Sequence, residues 1–224
     1  MHLLFDLDGT LTDPFPGITR CIAHALERMG LPVPPTEKLR WCIGPPLKHS
    51  LAKLLATDDE ARIEKALALY RERFGKVGLF ENQVYDGIPE ALEALNESGH
   101  RLFVATSKPV VFARRIVDHF GLHPYFRAVY GSERDGTRAD KTRLIAHILK
   151  KESINGGDAV MIGDRAYDMI GARENGLSRF GVLWGYGSKN ELAGADAQAL
   201  VASPLELMPA IDRRFAPDRF SEEG

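Results

Sequence analysis

The sequence predicts an α/β fold, a parallel sheet with helices on both faces, carrying an all-helical module inserted after its first strand. Three observations lead there. From about Tyr85 onward, short apolar runs of strand length alternate with segments whose hydrophobic residues recur at three- and four-residue steps. Between about Ile18 and Phe80 only the helical period occurs. Polar clusters follow directly on several of the apolar runs, and sheets of this class form their sites at the carboxyl ends of strands.

The first element is Leu3-Leu4-Phe5, an apolar run that reads as a buried strand. It delivers Asp6 and Asp8 just ahead of Gly9, and a regular strand points both carboxylates to one side. An Asp-Gly turn accounts for Asp8 and Gly9 but leaves Asp6, between Phe5 and Leu7, unexplained. Burying two carboxylates together is costly without a cation or a shared proton. A catalytic or metal-binding pair is therefore expected.

Asp13-Pro14-Phe15-Pro16-Gly17 reads as a linker. Helices are then expected along Ile18, Cys21, Ile22, Ala25, Leu26 and Met29, with Gly30 as stop, and along Leu47, Leu51, Leu54 and Leu55. A third runs through Ile63, Leu67, Tyr70 and Phe74, with Thr57 and Glu60 as its capping box. Pro89 opens a helix that ends at Gly99, and Leu102 to Ala105 form the second strand. A helix from Pro109 to Phe120 precedes a strand at Ala128-Val129-Tyr130. Leu144, Ile145, Ile148 and Leu149 line another helix, and Ala159-Val160-Met161-Ile162 form the fourth strand. A helix over 169–174, a strand over 180–184, a sixth strand at Leu200-Val201 and a last helix opened by Ser203-Pro204-Leu205-Glu206 complete the pattern. The implied division is a core at 1–14 and 82–216, a helical module at 15–81 and a tail at 217–224. The segment after Ile211, with Arg213 and Arg214, reads as solvated.

The 224 residues are 44% hydrophobic and 27% charged, the composition of an ordinary globular protein. A net charge of -2 gives no electrostatic case for a nucleic-acid polymer or an anionic membrane surface as partner. No apolar run approaches the roughly 20 residues of a membrane-spanning helix, and no signal peptide is visible. Cys21 and Cys42 do not make a disulfide framework, and both are read as reduced thiols of a cytoplasmic protein.

The chemistry lies at the strand ends. Thr106-Ser107-Lys108 follows the second strand ahead of a helix N-terminus, a setting suited to phosphoryl oxygens. Lys141 begins a helix, where a cation meets the unfavourable end of the dipole. The fourth strand ends in Gly163-Asp164-Arg165-Ala166-Tyr167-Asp168. Taken singly, each has a bland reading as a cap or a solvated charge. Four such clusters at strand ends together do not.

The motifs DLDGT at positions 6–10, Thr106, Lys141 and GDRAYD at positions 163–168 resemble, in order and spacing, those of the haloacid dehalogenase superfamily. The likeness is greatest to its phosphoglycolate phosphatase branch, including a Gly44-Pro45-Pro46 loop. Thr142 departs from it, since many relatives carry proline there. The resemblance implies a Rossmann-like core with a helical cap, and a phosphatase acting on a small phosphate ester. It also implies an Asp6 nucleophile, Asp8 as acid and base, and Mg²⁺ held by Asp6, the Asp8 carbonyl, Asp164 and Asp168. Thr106 and Lys141, assisted by Ser107 and the Gly9 amide, would hold the phosphoryl group. Arg20, Gly44, Lys48 and His49 are the expected specificity residues, and Trp41 or Phe15 a possible stacking surface. The alternatives are a 5'-nucleotidase, a phosphoglucomutase-like phosphotransferase and a non-catalytic phosphate-binding regulator.

Overall fold

A computed structural model describes residues 1–215. The chain begins with β1 (His2–Phe5) and a two-residue strand β2 (Thr12–Asp13), then enters α1 (Phe15–Arg28), α2 (Leu47–Leu55) and α3 (Glu60–Phe74). It returns through β3 (Gln83–Val84) into α4 (Ile88–Glu97), β4 (Arg101–Pro109), α5 (Val110–His119), β5 (Ala128–Ser132) and α6 (Lys141–Glu152). Then come β6 (Ala159–Gly163), α7 (Ala166–Glu174), β7 (Ser178–Val182), α8 (Lys189–Gly194), β8 (Ala199–Val201) and α9 (Leu207–Phe215).

Six strands form one parallel sheet in the order β5-β4-β1-β6-β7-β8. Strand β1, carrying the apolar run Leu3 to Phe5, lies inside that sheet with a strand on either side and helices on both faces. Alternation sorts its side chains. Leu3 and Phe5 pack with Leu92, Leu95, Ile116 and Val117 on one face, while Leu4 packs with Leu144, Ile145 and Ile148 on the other. Chain order reverses at β1, with β4 on one side and β6 on the other. That is the switch point where open α/β sheets bind their ligands.

The expected strands and helices of the core are present, with bounds that differ by a few residues. The capping box at Thr57 and Glu60 is not. Asp59 caps α3, accepting from the amides of Ala61 and Arg62, and the Thr57 hydroxyl instead accepts from the Asp59 amide. An aspartate adjacent to the first turn reaches two free N–H groups, which Thr57 is too far back to do. The supposed linker is ordered: Phe15, Pro16 and Gly17 are the first turn of α1, and β2 pairs antiparallel with β3. Those two strands stand on the two connections into the helical insertion. Each is too short to show a period. Helix α8 also escaped the periodicity, being six residues long. Ser203 does not cap the last helix by its side chain; a 3-10 turn over Pro204–Glu206 precedes α9, and Glu206 accepts from Ser203 and Ala202. Arg213 and Arg214 form the exposed end of α9 rather than a tail. The tail expected at 217–224, with residue 216, lies outside the described residues.

Helix α1 buries Ile18, Cys21, Ile22, Ala25 and Leu26, one face of an amphipathic period. Where its chain enters, Gly17 donates to the Glu81 carbonyl at 2.9 Å, and a side chain at Gly17 would strike the Gly78 carbonyl. Arg73 and Arg20 both pair with Glu81 there, at 2.6 and 2.8 Å. The insertion meets the core again through Phe74 of α3, which contacts Phe112 of α5 edge-on at 5.3 Å between ring centroids.

Candidate active site

The site is a consequence of the sheet order. Because β1 lies between β4 and β6, their carboxyl ends bring together residues far apart in sequence. Asp6 continues the β1 ladder by donating its amide to the Ile162 carbonyl at 2.9 Å, which fixes its backbone. Asp164 follows directly on β6, and Asp168 sits in the first turn of α7, where its carboxylate accepts from the Arg165 amide at 3.1 Å. Carboxylate oxygens of Asp6, Asp164 and Asp168 lie within 4.8 Å of one another, and all three residues are buried.

Such a cluster needs compensation. Lys141, the first residue of α6, supplies part of it: its ammonium is 2.9 Å from Asp6, 2.7 Å from Asp168 and 2.8 Å from the Ala105 carbonyl. Burial alone would lower the lysine pKa, but the carboxylates of Asp168 and Asp6 outweigh it and hold the value above the usual range. Burial pushes Asp164 well above the usual carboxylate range, with the charges of Asp168 and Asp6 adding to it. Burial raises Asp168 too, with Lys141 opposing. One buried cation against three carboxylates leaves excess negative charge. An all-oxygen set of hard donors at this separation suits a divalent ion such as Mg²⁺ better than zinc, so the residues present fit the metal that the sequence implies.

Asp8 stands apart from the triad. Its Oδ2 is 2.9 Å from the Lys108 ammonium, while its Oδ1 is buried without a hydrogen-bond partner. Burial raises its pKa, partly countered by Lys108. Thr106, at the end of the regular part of β4, is buried, and its hydroxyl accepts from the Lys108 amide at 3.2 Å. Asp8, Thr106, Ser107 and Lys108 all line one cleft with Asp6.

The remaining expected residues divide. Gly9 adopts φ +87°, and any side chain there would overlap the Asp164 carboxylate, so glycine is required for close approach. Its amide is committed to the Thr12 carbonyl at 2.8 Å, which leaves it no donor for a phosphate. Gly44 lines the cleft, and so does Lys48, which pairs with Glu60 and Glu64. His49 lies exposed on α2 outside the cleft lining. Arg20 faces Glu81 beside a separate surface depression that also holds Phe15, and Trp41 does not line the cleft.

Several contributors were missed. The Tyr186 amide donates to Asp164 at 2.8 Å, and the Thr10 hydroxyl reaches the same carboxylate at 3.5 Å. Arg165 binds Glu191 at 2.8 Å and donates to the Ile43 carbonyl, seating the Gly44-Pro45-Pro46 loop on the core. Lys108 was visible only as part of the Thr106-Ser107-Lys108 cluster. The aromatic-glycine run Trp184-Gly185-Tyr186-Gly187 was the available signal for the loop around Asp164, since side chains at Gly185 or Gly187 would strike that residue.

The comparisons with known proteins agree with this geometry. The family model described as haloacid dehalogenase-like hydrolase matches residues 3–182. A protein of Pseudomonas aeruginosa named 5'-nucleotidase is 52% identical over 191 residues, covering 85% of this chain and 86% of that one. The Tyrosine-protein kinase PtkA of Mycobacterium tuberculosis is 39% identical over 185 residues, 83% of this chain and 62% of the relative. Among solved structures, a predicted phosphatase from Clostridium acetobutylicum superposes with a TM-score of 0.91 at 43% identity, covering 95% of this chain and 98% of the other. Phosphoglycolate phosphatases also stand among the relatives, that of Pseudomonas aeruginosa at 27% identity over 94% of this chain and 79% of its own. The chain belongs to the haloacid dehalogenase-like hydrolases, and within them to the phosphatases.

Proposed function

We propose that this protein is a Mg²⁺-dependent phosphomonoesterase that hydrolyses a small phosphorylated metabolite through a phosphorylated Asp6. The observation that carries the reading is the convergence of Asp6, Asp164 and Asp168 around Lys141, with a second, separately held carboxyl at Asp8. Asp6 attacks phosphorus while Asp8 gives its proton to the departing alkoxide as the ester P–O bond breaks. Water then attacks phosphorus, its proton goes to Asp8, and the bond to Asp6 breaks to restore the carboxylate. Burial raises the Asp8 pKa, the direction a general acid requires. Lys141 and Thr106, with Ser107, hold the phosphoryl oxygens. Asp6, Asp164 and the Asp8 carbonyl, supported by Asp168, would hold Mg²⁺, which neutralises the charge of the phosphate against the aspartates. The helical insertion at 15–81 serves as a cap over the cleft. The two buried free thiols suit a reducing cytoplasm.

The cleft favours one substrate class over another. Phosphoglycolate brings a second anion; of the cations lining the cleft, Lys48 and Lys108 are paired with carboxylates, while Arg71 and Arg134 have no carboxylate partner among the described residues. Lys48 pairs with Glu60 and Glu64, Lys108 with Asp8, and Arg71 with the Arg134 carbonyl, while Arg134 stands over the Phe112 ring. Ile18, Leu47, Leu67, Tyr70, Phe74 and Phe112 form an apolar part of the wall. That apolar part of the lining supports a ring-bearing leaving group such as a nucleoside ahead of glycolate. The test compares wild type with Asp6→Asn on a chromogenic phosphomonoester with Mg²⁺, then runs nucleoside monophosphates against phosphoglycolate. Inert mutant and free inorganic phosphate as product are expected. Comparable turnover by the mutant would end the Asp6 assignment, and transfer to an added sugar hydroxyl would make the enzyme a phosphotransferase.

A further inference from the structure

We infer that Lys108 is a positioning residue for Asp8, and that Phe74 of the helical insertion holds Lys108 in the place from which it does so. The inference rests on the assignment of Asp8 as acid and base. Two lysines divide the aspartates of the first motif: Lys141 takes Asp6, and Lys108 takes Asp8 at 2.9 Å. The side chain of Lys108 is only 7% exposed, so this contact is not a screened surface pair. Its ammonium also stands 4.4 Å from the centroid of the Phe74 ring, a cation over an aromatic face. Phe74 is itself fixed on both sides, stacked on Tyr70 at 5.3 Å and edge-on to Phe112 at 5.3 Å.

The backbone is shaped for this placement. The register of β4 against β5 shifts between Ala105 and Pro109. The Lys108 amide turns back to the Thr106 hydroxyl, Ser132 donates to the Ser107 carbonyl at 2.8 Å, and a side chain at Gly131 would collide with the Lys108 carbonyl. A bulge re-aims a side chain out of its ladder, here toward the centre of the cleft. The Asp8 carboxylate has one oxygen paired with Lys108 and the other without a partner, so Lys108 is its one polar anchor among the described residues. Asp8 is thus aligned through a core lysine whose ammonium is held from the other side by the Phe74 ring of α3. The insertion does more than cover the cleft. It completes the acid-base group.

The experiment uses p-nitrophenyl phosphate with Mg²⁺ and follows single-turnover release of nitrophenol beside steady-state turnover. A leaving group that departs without protonation makes the first step nearly independent of Asp8, whereas attack by water still requires it. For Lys108→Met the first step stays within a few-fold of wild type. Steady-state kcat falls by about 10- to 100-fold, the range expected when a catalytic group is misplaced by an ångström. A burst of nitrophenol stoichiometric with enzyme appears, and KM does not rise. Phe74→Leu shows the same burst with a smaller loss, and Lys108→Arg recovers part of kcat. Thermal unfolding midpoints verify that each variant is folded. A raised KM with unchanged kcat would overturn the inference and make Lys108 a substrate contact. Wild-type kinetics in Lys108→Met would overturn it too. Neither result touches the Asp6 assignment, which fails separately if wild type itself has no phosphomonoesterase activity.

Discussion

Replacing Lys141 with methionine removes a cation that touches two of the three clustered carboxylates, and its cost can be worked from the geometry. At 2.9 and 2.7 Å and an effective dielectric near 20, each attraction is about 6 kcal/mol gross. Desolvation of the buried lysine offsets much of that, and removing one partner of a buried pair costs roughly 3–5 kcal/mol net. Protonation limits the loss. The variant can neutralise Asp168, and raising a carboxylate from a pKa near 3.9 to neutrality takes about 4 kcal/mol at pH 7. Lys141→Met is therefore expected to lose about 3–5 kcal/mol in urea unfolding with EDTA present, a shift of about 6–20 °C for a chain of this size. The deficit also depends on pH. Without Lys141, the folded-state pKa of Asp168 rises further above its unfolded value, so the native state holds the extra proton and stability falls as pH rises. The deficit should shrink between pH 8 and pH 5, and Lys141→Met with Asp168→Asn should recover part of it at pH 7. A loss below about 1 kcal/mol, or a deficit growing toward pH 5, would refute the electrostatic account.

Other outcomes follow from the same geometry. Mg²⁺ should raise the unfolding midpoint by mass action, about 2.7 kcal/mol at one hundred times its dissociation constant, and Asp164→Asn should abolish that shift in a thermal melt. Gly44→Ala faces both φ +101° and the Arg165 side chain, so it should cost about 1–3 kcal/mol in urea unfolding and raise KM by displacing the cleft loop. Hydrogen bonds from Arg73 hold the Glu81 pKa below the usual range. Its stabilisation is present above the unfolded value and lost as pH falls through the depressed one, so the gap between wild type and Glu81→Gln should narrow below about pH 4. Burial pushes the Cys42 thiol up to about 11, and iodoacetamide at pH 8 should leave it unmodified in the folded protein while labelling it in urea.

How much of this was legible in the sequence depended on length and period. Leu3-Leu4-Phe5 and Ala159 to Ile162 announced buried strands because such strands carry no polar face to blur the signal, while their order in the sheet was not legible. Three of the polar clusters were legible because each follows such a run, whereas Lys141 opens a helix well past the end of β5 and stood out only as a cation at the wrong end of the helix dipole. Asp59 was harder: Thr57, Asp58 and Asp59 are all competent caps, and only the backbone path decides which one reaches the free amides. Strands β2 and β3 and helix α8 are too short to show a repeat. Arg20 and His49 were unreadable for a different reason. A helical period tells which face of α1 or α2 is apolar, but not whether its polar face looks into the cleft or away from it. Lys108 shows the same limit, since its partner Phe74 belongs to α3 and its orientation depends on a bulge in β4 that no local pattern encodes.

The site that receives the phosphoryl group decides the mechanism. Asp8→Asn, mixed with a good-leaving-group phosphomonoester and Mg²⁺ and quenched in acid, should accumulate protein heavier by one phosphoryl group, and peptide mapping should place that group on Asp6. Label on any other residue, or rapid phosphate release with no phosphorylated protein at any time, would contradict it.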